Sequence, residues 1–139
     1  MSYVSYIPKV IKALDDSQEK LLDRAAVHMK KAVRDKIKNR GTSRPGEPPA
    51  RASGQLLKGV KIGRRGRDVN NSYRIVGMGP PAHHAHLLEF GTVPRTVKNY
   101  LGKKGVAVQS GRVLPRPFMR PAFEENVDAV EAILNKAWI

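Results

Sequence analysis

Apolar side chains recur along the first third of the chain at Ile11, Leu14, Leu21, Ala25, Met29, Val33 and Ile37, mostly on one helical face. The pattern predicts an amphipathic helix over residues 7–39. Pro8 suits its first turn, and Asn39-Arg40-Gly41 supplies the left-handed residue that commonly ends a helix. At about 1.5 Å per residue, some thirty residues reach roughly 45 Å, longer than a small domain needs to cover its own core. Part of this helix is therefore expected to pack on a partner. Its second half carries Lys30, Lys31, Arg34, Lys36 and Lys38, cations placed at the negative end of the helix dipole without need of a ligand.

Prolines 45, 48 and 49 and glycines 41 and 46 make residues 41–52 unfit for helix or sheet, and a mobile loop is expected there. Ser53 is placed to cap a short helical turn through Leu56 and Leu57. Val60 and Ile62, then Tyr73, Ile75 and Met78, alternate as two strands, with turn chemistry at Asp68, Asn70 and Asn71. These segments read as a β-hairpin. Pro80-Pro81 breaks the chain, and residues 82–90 form a short helix closed by Gly91. Residues 92–115 read as a second mobile segment holding a looser hairpin, with extended runs at 100–108 and 110–114. From Pro121 onward Phe123, Val127, Val130, Ile133, Leu134 and Ala137 fall three or four apart. Glu124, Glu125 and Asp128 sit at the acid-favouring end of the same helix. The fold class is α+β: a long N-terminal helix, an antiparallel sheet from two hairpins with a short helix between them, and a C-terminal helix packed on the sheet. No repeat or heptad series points to a solenoid or coiled coil.

Length and composition narrow this picture. The 139 residues fit one domain, residues 1–139, with one core. No apolar run approaches the roughly 20 residues of a membrane span. The first eight residues lack the basic start and apolar stretch of a signal peptide, which sets the expectation of a cytoplasmic protein. With no cysteine, disulfides and thiolate chemistry are excluded, and stability must come from packing or assembly.

The net charge of +14 is unevenly spread: residues 40–120 hold 16 Lys and Arg against 3 Asp and Glu, whereas residues 121–139 hold 1 against 4. Such a middle favours polyanions or an acidic protein neighbour, and the acidic last helix could supply the matching surface on another copy. Solubility alone is an equally ordinary use of surface Lys and Arg.

Candidate chemistry is sparse. His83, His84 and His86 beside Glu89 are the one cluster with metal-ligand character. On a helix, however, His84 points away from the other two, and in a strand only His84 and His86 align. No serine sits in a strained elbow with a His and an acid. Glycines 59, 63 and 66 lack the Gly-Lys-Ser/Thr ending of a phosphate loop. Paired carboxylates for acid–base work are missing from the middle segment, whose acids are Glu47, Asp68 and Glu89. Glu89, flanked by Leu87, Leu88 and Phe90, is expected near the core and so needs a partner, with Arg116 or Arg120 available. Glu89 is expected to hold the short helix to the start of the last one. Phe118 and Phe123, set around Pro121, are expected to anchor that last helix in the core. Aromatics make up only 6% of the chain, which disfavours a base-stacking platform.

Three motifs stand out: Ser53-Gly54-Gln55-Leu56, an alanine-containing short helix ending in Glu89-Phe90-Gly91-Thr92, and Arg116-Pro117-Phe118-Met119-Arg120-Pro121-Ala122-Phe123. In this order they resemble the tail-completion or tail-component proteins of long-tailed lambdoid bacteriophages, head–tail joining proteins of the phage neck. The resemblance implies a non-enzymatic virion protein of the neck or upper tail, without cofactor or metal, assembled in the host cytoplasm. It implies a homo-oligomeric ring, of six subunits, that contacts head-closure, tail-terminator or tail-tube proteins around a DNA passage channel. Gly54, Leu56, Glu89, Phe90, Gly91, Thr92, Arg116, Pro117, Phe118, Arg120, Pro121 and Phe123 are then the structural motif residues. Arg44, Arg51, Arg64, Arg65, Arg67, Lys103, Lys104 and Arg112 are candidates for interaction with packaged DNA or an acidic neighbour. The alternative reading is a basic module that binds duplex DNA through phosphates. A metal-dependent nuclease built on the histidines is a third.

Overall fold

The structure is a computed structural model and describes residues 7–37, 41–50, 54–67, 72–98 and 107–136. The amphipathic N-terminal pattern forms α1, Ile7–Ile37, an unbroken helix of 31 residues. Asn39 and Arg40, expected at its end, lie outside the described residues; Gly41 has the expected positive φ, 129°. Two short elements follow, α2 (Gln55–Gly59) and the strand β1 (Val60–Arg67), paired antiparallel with β2 (Ser72–Met78). The predicted hairpin is therefore present. Val60 faces Met78 and Ile62 faces Val76, and a register shift between Ile62 and Arg65 moves the pairing to Arg65 with Arg74. The turn at residues 68–71 lies outside the described residues.

The short helix α3 spans Ala85–Phe90, three residues shorter at its start than the pattern predicts. The reason is local: Ala82, His83 and His84 are taken up in turns, with Ala82 N–H donating to Gly79 O and Ala85 N–H to Ala82 O. The second hairpin pairs β3 (Arg95–Lys98) with β4 (Ala107–Ser110) as a separate two-stranded ladder. Its strands are displaced from the predicted runs. The first uses a four-residue segment with one apolar side chain, and residues 111–114 are irregular. Residues 100–106 of the first predicted run lie outside the described residues.

The last helix, α4, spans Met119–Asn135, so Pro121 stands within its first turn, where a missing N–H costs no helical bond. It packs mainly along α1, which in turn lies against β1 and β2, and its Met119, Phe123, Val130 and Leu134 line one cavity with Arg74 and Val76 of β2. His28 Nε2 meets Asn126 Oδ1 at 3.0 Å and Lys36 Nζ reaches Glu125 at 2.6 Å across the helix pair. On the sheet side, Arg74 donates from Nε to Asp23 (2.7 Å) and from Nη2 to Glu19, clamping β2 to α1. The Arg74 side chain is only 7% exposed. Hydrogen bonds to Asp23 and Glu19 raise its pKa above the ordinary guanidinium value against the cost of burial, so it is cationic throughout.

The main core gathers at the C-terminal end of α1: Val33 and Ile37 pack with Leu56, Val60, Ala82, Ala85, Phe118 and Ala122. The helices α1, α2, α3 and α4 and the strand β1 or their flanking residues all contribute to it, with Met78 of β2 packed at its border. Phe118 is fully buried, as expected. Phe123 is not: it is 59% exposed, and the buried residue in that turn of α4 is Ala122. The apolar stripe of α4 is real, but α1 covers only one side of it. Val127, Val130, Ile133 and Leu134 are consequently half-buried.

Candidate functional site

The two larger motifs meet in space, and their polar groups account for one another. Glu89, in the last turn of α3, sets its carboxylate against the N-terminus of α4. Its Oε2 accepts the backbone N–H of Phe118 (2.8 Å) and of Met119 (3.1 Å), and its Oε1 accepts that of Arg120 (3.0 Å). The next residue, Pro121, has no N–H. Ala122 N–H then makes the first intrahelical bond, to Phe118 O at 3.3 Å. A helix start leaves its first donors orphaned, and here a glutamate from another element and a proline dispose of all of them. The negative charge also lies at the positive end of the α4 dipole.

Glu89 thus does join the short helix to the last one, but through the backbone, not through Arg116 or Arg120 side chains. The Arg120 guanidinium turns to Glu124 at 2.8 Å, a surface pair one helical turn on that raises the Arg120 pKa. Arg116 contributes its backbone N–H, which donates to Leu88 O at 2.7 Å. Sequence reasoning supplied the carboxylate's task and missed its partners, because side-chain charge is visible in a sequence and an orphaned amide is not. The signal available was Pro121 itself, which marks residues 118–120 as the first turn.

Gly91 fixes the geometry between the motifs. Its φ of 72° and ψ of −178° belong to a region open essentially to glycine alone. A Cβ there would also lie 2.7 Å from Val113 O and 2.9 Å from Pro115 Cδ. The chain returns past it in a short two-stranded contact: Thr92 N–H donates to Val113 O (2.8 Å), and Val113 N–H to Thr92 Oγ1 (3.2 Å). Gly46 N–H reaches Pro115 O at 2.9 Å, which ties the described part of the proline-rich loop to the same place. In the third motif, Gly54 takes the left-handed conformation (φ 76°) before α2, and Leu56 is buried. Ser53, expected to cap α2, lies outside the described residues; the cap position belongs to Gly54, which has no side chain to offer.

Around the Glu89 joint lies an apolar groove of about 960 Å³ between α3 and the start of α4, lined by Met78, Phe90, Pro117, Met119, Pro121 and Phe123 among others. Phe90 is 80% exposed on its rim. A second surface, about 650 Å³, runs between α1, α4 and residues 42–50 and is polar in character, with Asp35, Lys36, Glu47 and Glu125 on its wall.

Five of the candidate basic residues lie in the described part of the chain. Arg44 and Arg112 are exposed at different loops, and Arg44 N–H donates to Glu47 Oε2 at 3.0 Å. Arg64, Arg65 and Arg67 follow one another on β1. Arg51, Lys103 and Lys104 lie outside the described residues. His83, His84 and His86 are exposed at the start of α3, and among the described residues no three His, Asp or Glu side chains converge to hold a metal ion. No described helix is long and apolar enough to cross a membrane.

A small α+β scaffold whose signature residues bind its own elements together is the class these features define. Residues 6–91 match the HK97-gp10-like family, described as "Bacteriophage HK97-gp10, putative tail-component". The match covers more than half of the chain, which belongs to this family of phage tail components. It ends at Gly91, so the Arg116–Phe123 motif lies beyond it and is joined to it by the Glu89 bonds. No curated protein and no solved structure was found to match the chain.

Proposed function

We propose that this chain is a structural protein of the phage neck, forming a ring that completes the tail and joins it to the head around the DNA passage. The observation that carries the proposal is how Glu89 is used. The one carboxylate expected near the core in the basic middle of the chain is spent on three backbone amides, and the groove beside it is apolar. Such a site puts its central carboxylate to structural use and offers a surface suited to contact with protein. Membership of a tail-component family supports the same reading. In this account the chain is a homo-oligomer, a hexamer in the resemblance that motivates it, stacked between head-closure proteins and tail-terminator or tail-tube proteins in the virion. Residues 41–52 and 92–115 engage the adjacent rings. The Arg and Lys of the middle segment face packaged DNA or acidic neighbours. Assembly takes place in the host cytoplasm, with no enzymatic step and no cofactor.

Deletion of the gene tests the joining role. The expected result is an accumulation of DNA-filled heads and separate tails that become infectious particles when purified protein is added to the lysate. Normal joined particles from the deletion strain would overturn the proposal.

The charge of +14 favours one second reading, a duplex-DNA-binding module. A phosphate binder making 6–10 contacts loses roughly 10³- to 10⁵-fold in affinity between 50 and 200 mM salt. Gel shifts at those two salt concentrations separate the readings: tight low-salt binding that collapses at high salt supports the DNA module, and feeble binding at both supports the neck protein.

A further inference from the structure

The solvent face of α1 carries a row of cations. Lys20, Arg24, Lys31 and Arg34 stand at spacings of four, seven and three residues, which brings all four to one side of the helix, with Val27 between Arg24 and Lys31. All five residues are exposed. This side is turned away from the fold, because Leu21, Ala25, Val33 and Ile37, which are buried, lie on the opposite one. From Lys20 to Arg34 the row runs about 21 Å, at about 1.5 Å per residue.

The described fold makes no use of these four cations. None of their side chains has an ion pair or hydrogen bond with another described residue, whereas Lys36 of the same helix is paired with Glu125. Asp23, beside Arg24 in sequence, is turned to Arg74. Asp16 and Asp35 flank the row at its two ends and leave its middle without a carboxylate. The helix dipole accounts for Arg34 and Lys36 in the last turn, but its effect does not extend back to Lys20 and Arg24. Like charges at i,i+4 and i,i+3, as in Lys20–Arg24 and Lys31–Arg34, repel one another, so the helix carries the row against its own stability. Solubility is served by both signs interspersed and does not call for a row of one sign.

A straight row of unpaired cations on a rigid helix matches a ligand whose negative charges also form a row. Duplex DNA carries one charge per about 1.7 Å of its axis, so about 21 Å of duplex offers phosphates to all four cations whatever its sequence. An acidic protein surface would instead need carboxylates placed in register with them. We infer that the Lys20–Arg34 face of α1 is the main DNA contact of this chain, made through phosphates and without reading bases. The inference rests on the proposed neck role, in which the chain surrounds the DNA passage, and assigns that passage a helix face. Four phosphate contacts correspond to a salt slope of about −3.6, a loss of roughly 150-fold in affinity between 50 and 200 mM salt. One copy is therefore a weaker and less salt-sensitive binder than a module making 6–10 contacts, and a ring presents the face several times to one duplex.

The test uses the full chain and a labelled duplex of mixed sequence, read by fluorescence anisotropy at those two salt concentrations. Arg24→Gln and Lys31→Gln together remove the cations on either side of Val27 while keeping good helix formers. Lys12→Gln and Lys136→Gln together remove the same charge from exposed positions outside the row. Melting temperatures establish that both double variants fold. The expected result is a loss of at least about ten-fold at the lower salt for the R24Q/K31Q chain, with a salt slope shallower by about 1.8. The K12Q/K136Q chain stays within about three-fold of the parent. Val27→Asp, which sets an acid in the row without removing a cation, weakens binding and Val27→Lys strengthens it; this pair decides the matter if the R24Q/K31Q chain fails to fold. Equal losses in the two double variants, parent-like binding by R24Q/K31Q, or no binding by the parent at the lower salt would overturn the inference. If R24Q/K31Q binds DNA like the parent yet fails to restore joining in the deletion lysate, the face belongs to an acidic tail protein instead. The function and the contact fail separately. Row-dependent binding with normal joined particles from the deletion strain keeps the contact and removes the neck role; the reverse pair of results removes only the contact.

Discussion

Replacing Glu89 probes the joint on which the two motifs depend. In Glu89→Ala the N–H groups of Phe118, Met119 and Arg120 lose their acceptor, and α4 loses a negative charge at its N-terminus. Hydrogen bonds to charged groups are worth about 1.5–3 kcal/mol each, but the site is only half-buried and water replaces part of what is lost. The relevant scale is therefore that of a helix cap, about 0.5–2 kcal/mol, plus about 0.3–1 kcal/mol for the dipole. A cost of about 1–3 kcal/mol follows for Glu89→Ala. Glu89→Gln keeps one carbonyl oxygen, able to serve Phe118 and Met119, while its amide group meets the Arg120 N–H and the charge is gone; about 1 kcal/mol is expected. For a chain of this size about 1 kcal/mol moves the melting temperature by roughly 3–5 °C. Thermal melts by circular dichroism at 222 nm should therefore rank the parent above Gln and Gln above Ala, with Ala lower than the parent by about 3–15 °C. Arg120→Ala, which removes only an exposed surface pair, should leave the melting temperature close to that of the parent. A melting temperature for Glu89→Ala within about 1 °C of the parent would refute the cap. Arg120→Ala or Arg116→Ala reproducing the full Glu89→Ala loss would return the partnership to the guanidinium groups.

Three further outcomes follow from the same packing. Gly91→Ala places a Cβ 2.7 Å from Val113 O in a backbone region costing other residues about 1–3 kcal/mol, so urea unfolding should show a loss of about 3 kcal/mol or more; a loss under about 1 kcal/mol contradicts the geometry. Phe118→Ala should cost about 3–5 kcal/mol, while Phe123→Ala, at an exposed position, should cost less than about 1 kcal/mol in the isolated protein. Equal losses in denaturant titration would mean that Phe123 is a core residue after all. Arg74→Met removes the clamp between β2 and α1, at about 1–3 kcal/mol after discounting for the exposure of Asp23. Hydrogen exchange should show faster opening across residues 15–25, and unchanged protection there would count against the clamp.

Much of the fold was legible because it rests on periodicity. The 3.6-residue stripe of α1 and the alternation of Val60, Ile62, Tyr73 and Ile75 are local signals that tertiary contacts did not override. The second hairpin was misplaced because β3 offers no alternation to read: Arg95-Thr96-Val97-Lys98 has one apolar residue, and its pairing with β4 is a backbone matter. Phe123 shows a different limit. A stripe reveals which residues need cover and not whether their own chain provides it, and at Phe90, Phe123, Val10 and Leu14 it does not. The Glu89 joint was half legible: a carboxylate among apolar neighbours demands a partner, but only the fold shows three amides and a proline arranged to meet it.

Cryo-microscopy of the particle tests the central claim most directly, with this chain located by fitting α1, the Glu89 joint and α4 into the density. A closed ring of copies at the junction of head and tail is the predicted result. Density for the chain elsewhere in the virion would contradict the neck role.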